Sequence, residues 1–424
     1  MTRIVIVEPD GYGGLAHFAY QLAQALAEAG VAVTLVTAVD YELAAWPHRC
    51  RLVPSMHLWS PVETVATSTL ARLRQRLGRP LRRVVRGGVV VREWWRLTAF
   101  LRREAPDVVL FGIIRFPFEL FWLRRLRAAG IPLAQICHEF DTREVASPLV
   151  RHWHRRLSRR IYAQFAVIFF LSDATRRTFL QAFAVDPART VVVPHGPELL
   201  FPVSDAAVAA LRARYGVAAT DRVFVFFGGL RPSKGVPDLV DAFAQLAARP
   251  DVRLIVAGYP SRHFDVGGLR RRIAAAGVED RVHLDLRYLP MAEIGPLVAL
   301  ATAVVLPYRN ATASGAVALA QSLGRPVVAT ATGGLAEMIE DGVSGRLVPP
   351  GDVAALAAAM AAVLDDPAAA RAMGERGRHA ALVERSWEVV AHRVLAALAD
   401  RTPPPPPQPA ADPARAGSAR RAAG

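Results

Sequence analysis

Cysteine is nearly missing from this chain of 424 residues: Cys50 and Cys137 are the whole complement. Two thiols offer no disulfide framework, and such sparing use suits a reducing cytoplasm, the expected location. Long apolar runs are missing too. A membrane-spanning helix needs roughly 18–20 uninterrupted apolar residues, and the best candidate, 165–171, is only strand-length. The shortage is one of length and not of material, since 52% of the residues are hydrophobic and mean hydropathy is +0.23. A strand begins at once (Arg3 to Val7), so no signal peptide is expected. Two common phosphate loops are absent, because neither G-x-G-x-x-G nor G-x-x-x-x-G-K-[ST] occurs. No Asp-x-Asp pair at a strand end suggests a metal. Acidic charge is short as well: 37 carboxylates face 52 cations, most of them arginine, for a net charge of +15. That excess implies an anionic partner, whether nucleic acid, membrane surface or phosphorylated substrate.

The stretch that stands out is 223–243, VFVFFGGLRPSKGVPDLVDAF. Its apolar start reads as a buried strand ended by Gly228 and Gly229. Arg231 and Lys234 follow, and Leu239, Val240, Phe243 and Leu246 then recur at helical spacing. Glycines that admit a ligand to backbone N–H groups, a helix start and two cations together make an anion site. A second such site is legible in 307–315, PYRNATASG, where Ser314 is a good N-cap for a helix that ends at Gly324. Because the two sites follow different strands of one sheet, they could converge on one diphosphate.

Length points to two domains. The first opens with a βαβ unit: Arg3 to Val7, a turn bearing Gly11, Gly13 and Gly14, a helix to Gly30, and Val31 to Thr37. Its glycine spacing does not fit a dinucleotide fingerprint, which disfavours an oxidoreductase, so close approach of a ligand or of the facing domain is the better reading. The strand at 132–137 ends in His138 and Glu139, polar groups at a strand tip and candidates for contacting a reacting group. Strands and helices alternate on both sides of Phe201, which predicts two doubly wound parallel sheets.

Between Leu70 and Arg103 lies a basic amphipathic stretch. Leucines recur on one face, Arg72, Arg76 and Arg83 are among the arginines that fill the rest, and Trp94 and Trp95 extend it. This composition suits an anionic membrane face, with Pro80 expected to kink or split the helix. With no aromatic platform for bases, nucleic acid is not an expected partner. Thr402 to Gly424 is a Pro/Ala-rich tail that cannot bury a core and is expected to be disordered.

Taken together, GGLRPSKG, PYRNATASG with the following GRPVVATATGGLAEMIEDGVSGRLVPPGD, HGPE before Phe201, the Gly13-Gly14 loop and the terminal SWEVVAHRV resemble the retaining nucleotide-sugar glycosyltransferases of family 4. The resemblance spans nearly the whole chain to Leu398 and implies a GT-B fold. It divides the chain into an acceptor-side domain (1–200, with 386–400 crossing back), a nucleotide-sugar domain (201–385) and a tail (401–424). It implies a nucleotide-sugar donor as substrate, a glycan or lipid-linked acceptor, and no cofactor or metal. By the same resemblance Arg231 and Lys234 neutralise the donor diphosphate, with Gly229, Ser314 and Gly315 beside them. Gly13 and Gly14 close on the donor, and His138 contacts a sugar hydroxyl. His17 and Glu139 lie toward the acceptor. One departure is plain: where many members carry the two glutamates of an E-x7-E pair, this chain has Ala311 and Leu319. A non-catalytic sugar-nucleotide or partner-binding protein is therefore the alternative expectation.

Overall fold

The structure is a computed structural model that describes residues 2–57, 79–140 and 148–400, without the side chains of 79–86 and 148–154. Its first sheet uses β1 (Arg3–Glu8), β2 (Ala32–Ala38), β3 (Arg51–Met56), β4 (Val108–Phe111), β5 (Leu133–Cys137), β6 (Val167–Phe170) and β7 (Thr190–Val192). All are parallel, in the order β3-β2-β1-β4-β5-β6-β7. The second sheet uses β8 (Arg222–Phe227), β9 (Val252–Ala257), β10 (Val282–Asp285), β11 (Ala303–Leu306), β12 (Val327–Thr330) and β13 (Arg346–Val348). It too is parallel, in the order β10-β9-β8-β11-β12-β13. The expected pair of doubly wound α/β domains is what the chain forms.

Parallel strands covered by helices on both faces must be apolar on both faces, and β8 is: Val223, Phe224, Val225 and Phe226 are fully buried. β3 had no counterpart in the sequence reading. Pro54 lies inside it and argues against a strand, yet β3 is an edge strand, where a missing N–H is tolerated.

Strand order reverses between β1 and β4 in one sheet and between β8 and β11 in the other. Open α/β sheets bind ligands at such switch points, outside the strands' carboxyl ends. Those ends face each other here. Beyond β2, Glu42 meets Tyr288, which lies beyond β10, with 3.5 Å between oxygens. Beyond β6, Ser172 Oγ donates to the Thr312 carbonyl at 3.1 Å. Glu337 accepts the Asp173 and Ala174 N–H groups at 2.7 and 2.6 Å, so a second-lobe carboxylate caps a first-lobe helix.

The chain returns to the first lobe at its end. The Trp387–Ala399 helix buries Val390, Ala391 and Val394 against the first sheet's core. Trp387 Nε1 donates to the Pro197 carbonyl at 2.8 Å. Gly196 permits this approach, since a Cβ there would stand 2.6 Å from the indole.

The membrane-facing expectation needs a correction at Trp94. That residue is 5% exposed, stacks on Phe111 at 5.8 Å, and donates to Glu119 at 3.1 Å, so it belongs to the core. A helical turn sends neighbouring side chains about 100° apart, and Trp95 is 63% exposed. The kink or split expected at Pro80 falls at the edge of the described residues, where the Arg79–Glu104 helix begins. Arg72 and Arg76 lie outside the described residues, as do the Arg83 side chain and the tail from 401.

Candidate functional site

The two stretches of the second lobe expected to hold an anion both lie at its switch point, one after β8 and one after β11. They are fastened to each other. Arg309 N donates to the Ser233 carbonyl at 2.8 Å, and the Arg309 guanidinium pairs with Asp238 at 2.7 Å. Gly235 has φ +64°, and a Cβ there would stand 1.9 Å from the Pro307 carbonyl oxygen. Lys234 Nζ lies 3.5 Å from the centroid of the buried Tyr308 ring, a cation–π contact that holds the ammonium beside the second loop. Arg309 is thus neutralised by Asp238. Arg231 and Lys234 have no carboxylate within ion-pair distance among the described residues, which leaves two positive charges for a ligand. Lys234 is also the chain's single lysine among 52 cationic side chains.

Six residues after Tyr308, Ser314 caps the Gly315–Ser322 helix, its hydroxyl accepting from Val317 N at 3.4 Å. The helix start looks across to the segment that ends the first lobe. A Cβ on Gly315 would lie 3.4 Å from Glu198 Oε1 and 3.9 Å from His195 Nε2. Ala311 and Leu319 are 6% and 1% exposed and belong to the second lobe's core. The positions of the family's glutamate pair are therefore filled by buried apolar groups.

On the first lobe, the glycine turn after β1 is braced by Glu42, which accepts from Gly13 N at 2.6 Å and contacts His17 Nε2 at 2.7 Å. His17 is buried, so it supports the loop from behind. Gly13, Gly14, Gly228 and Gly229 would each point a Cβ into open space. Gly13 (φ +81°) and Gly228 (φ +115°) hold backbone conformations that favour glycine, whereas Gly14 and Gly229 answer to neither a clash nor a positive φ and leave their backbone uncovered.

His138 stands at the end of β5 and meets Phe18 edge-to-face at 5.0 Å; His195 and Trp387 meet the same ring at 5.4 and 5.1 Å. Burial, then the neighbouring His195, pushes the His138 imidazole down to about 3. It is neutral at physiological pH, able to donate from one nitrogen and accept at the other. His195 is lowered by burial as well. Glu198, whose Oε2 accepts from Gln21 Nε2 at 3.0 Å, is raised to about 7, mainly by burial. Glu139, next to His138, is exposed.

The structure thus brings Arg231, Lys234 and the Ser314-Gly315 turn onto one switch point, and Gly13, Gly14 and His138 onto the facing edge. Sequence reasoning missed Glu42 and Tyr288, and saw Glu198 only within a motif. Each carries an ordinary polar side chain several residues past a strand, and only lobe packing gives it a position.

A model of glycosyltransferase family 4 matches residues 12–199, and one of glycosyl transferases group 1 matches 221–366. An MMP alpha-(1->4)-mannosyltransferase of Mycolicibacterium hassiacum is 31% identical over 287 residues, 65% of this chain and 66% of the relative. A D-inositol 3-phosphate glycosyltransferase of Kineococcus radiotolerans is 36% identical over 223 residues, 48% of this chain and 50% of its own length. The chain thus spans about half to two thirds of the curated relatives it matches. Among solved structures, Anabaena HepE with UDP and glucose superposes at a TM-score of 0.70 with 20% identity, covering 94% of this chain and 100% of that one. The sucrose-phosphate synthase of Thermosynechococcus elongatus gives 0.70 and 21%, with 94% and 99% coverage. At that identity the likeness is one of fold.

Proposed function

The chain belongs to glycosyltransferase family 4, and we propose that it transfers a sugar from a nucleoside-diphosphate sugar to a hydroxyl of a glycan or lipid-linked acceptor. The observation that carries this reading is the fastening of the Lys234 loop to the Tyr308 loop at the second lobe's switch point. Arg231, Lys234 and the N-terminus of the Gly315–Ser322 helix then meet the charge that grows on the departing diphosphate. Stabilising charge where it develops is commonly the largest catalytic contribution. In this reading the cations do the work that a metal does elsewhere. Neutral His138 holds a hydroxyl of the transferred sugar, and bare backbone at Gly13 and Gly14 lets the first lobe close over the donor. The acceptor hydroxyl enters on the face the diphosphate leaves, which retains the anomeric configuration.

The acceptor side would work against an anionic membrane on its cytoplasmic face. Val91 and Trp95 on one helix, and Phe118 and Phe121 at the start of the next, are exposed large apolar residues. The two helices pack together, and Arg92, Arg96, Arg124 and Arg125 are exposed among those residues. Aromatic side chains in a basic surround suit a headgroup layer.

The test uses the single lysine. An amine-reactive acylating reagent has only Lys234 and the chain terminus to modify, and peptide mass spectrometry separates the two. UDP or GDP should protect Lys234 and leave terminal labelling unchanged. A panel of nucleotide sugars should raise the melting temperature by mass action, since 100-fold excess over Kd contributes about 2.7 kcal/mol. Full labelling of Lys234 under saturating UDP and GDP, with no sugar nucleotide stabilising the chain, would refute donor binding. Stabilisation without any donor cleavage, with or without acceptor, would instead identify a binding protein.

A further inference from the structure

The lobes meet through polar groups on both sides of their switch points. Past β6, β11 and β12 the contact is dense. Glu337 accepts the Asp173 and Ala174 N–H groups at 2.7 and 2.6 Å, and the Ser172 and Thr175 hydroxyls lie 3.1 and 3.2 Å from the Thr312 carbonyl oxygen. Past β2 and β10 the contact is long: the Tyr288 hydroxyl faces Glu42 Oε2 at 3.5 Å. Hydroxyl–oxygen bonds usually span about 2.5–3.0 Å, so a small further closure completes this one and a small opening abolishes it.

Glu42 also builds the glycine turn it stands behind. The Gly14–Glu28 helix starts from Gly13, which has no side chain to cap with, and its first turn carries no acid. Glu42 comes in from the loop after β2. Its N–H donates to the Gly11 carbonyl at 2.9 Å, while its Oε1 accepts from Gly13 N at 2.6 Å and meets His17 Nε2 at 2.7 Å. One residue is thus bonded to both ends of the turn and to the helix that follows. Oε1 is committed to the turn, which leaves Oε2 for the other lobe. Burial, then Glu42, push the Tyr288 hydroxyl up, so it keeps the proton it would donate.

We propose that Glu42 is a positioning residue that carries lobe closure to the glycine turn: when the Tyr288 hydroxyl closes onto its free oxygen, the turn's backbone is fixed against the donor. The bonds at Oε1 hold a side chain that would otherwise rotate, so the bond at Oε2 costs less rotamer entropy, and the two strengthen each other. The dense junction at Glu337 and Thr312 serves as the pivot, and the long contact at Tyr288 is the edge that opens. A part in sugar transfer rests on the glycosyl-transfer reading; the coupling of closure to nucleotide affinity does not.

The experiment uses the full-length protein, calorimetry with UDP and GDP, and nucleotide release from a panel of sugar nucleotides. Tyr288→Phe keeps the ring and removes the hydroxyl. It should weaken the tighter nucleotide about fivefold, the scale of one hydrogen bond, and leave the melting temperature unchanged. Glu42→Ala should weaken it about tenfold, through the loosened turn as well as the lost contact. In that background Tyr288→Phe should cost nothing more, since the hydroxyl has already lost its acceptor. Glu42→Asp, one methylene shorter and unable to span both contacts, gives the same cycle if Glu42→Ala does not fold. A merely structural Glu42 would give two independent losses that multiply. Equal Tyr288→Phe effects in the two backgrounds, or none in wild type, would overturn the coupling. If sugar nucleotides are cleaved and the losses multiply, the coupling falls alone. If the losses are coupled and no sugar nucleotide is cleaved, the transfer reading fails, and Glu42 remains the link between lobes in a binding protein. Binding of neither nucleotide by wild type would remove both.

Discussion

The two lobes share a strand order and use their switch points differently. Around the second lobe's switch point stand full positive charges, Arg231 and Lys234, with a capped helix start. Around the carboxyl edge of the first lobe stand groups whose burial shifts them toward the neutral form. His138 is pushed down to about 3, and Glu8, Glu119 and Glu198 are raised to about 8, 7 and 7. Charge near solvent suits an anion that must bind and leave. Neutral buried groups suit hydroxyls, which need direction more than charge. One topology therefore supports two kinds of recognition, and the difference lies in what the loops place at the strand ends.

The contrast breaks most visibly at Lys234. Replacement by alanine should lower donor turnover about 10³-fold, or ~4 kcal/mol, while the lost cation–π contact costs only about 1 kcal/mol of stability. Steady-state release of nucleotide checks this, and near-wild-type turnover would remove the second lobe from the chemistry. Next comes a first-lobe residue with a purely structural duty. Trp94→Ala should cost about 3 kcal/mol in urea denaturation, because it empties core space beside Phe111 and takes the one donor from Glu119 Oε1.

Glu8 sharpens the comparison through pH. It is 1% exposed, and burial first, then Asp10, raises it to about 8 from an ordinary 4.5. The folded state therefore holds its proton where the unfolded chain has released it. That stability is full below about pH 4.5 and is lost as pH rises toward about 8. Glu8→Gln should flatten this part of the profile and make the variant more stable than wild type above about pH 8, by at most about 5 kcal/mol. Parallel slopes for the two proteins would show that Glu8 does not titrate as its burial implies. The smallest effect belongs to the exposed aromatic next door. Trp95→Ala should leave stability within about 0.5 kcal/mol and weaken binding to anionic vesicles several-fold, about 1 kcal/mol. Equal binding of wild type to neutral vesicles would remove the membrane face from the first lobe.

The apolar runs of β8, β9 and β11 and the turns between them were legible in the chain, because a parallel strand buried on both faces has to be written as an unbroken hydrophobic run. The cap at Ser314 was legible too, since a side-chain oxygen before a helical pattern acts within one turn. Periodicity could not tell which of two adjacent tryptophans is buried, because an all-round apolar helix start and an amphipathic one look alike in a short window. The edge strand at 51–56 went unread, because its apolar residues are few and a proline lies among them.

By itself the sequence determined the alternation of strands and helices and the glycine-bearing turns that carry Arg231, Lys234 and Ser314, because backbone geometry and nearest-neighbour chemistry act over a few residues. Only the tertiary structure decided that Lys234 rests on Tyr308, that Glu337 caps the other lobe's helix, and that Trp387 packs on Gly196. Those contacts join residues dozens to more than a hundred positions apart, and strand order, which no local pattern encodes, sets which of them meet.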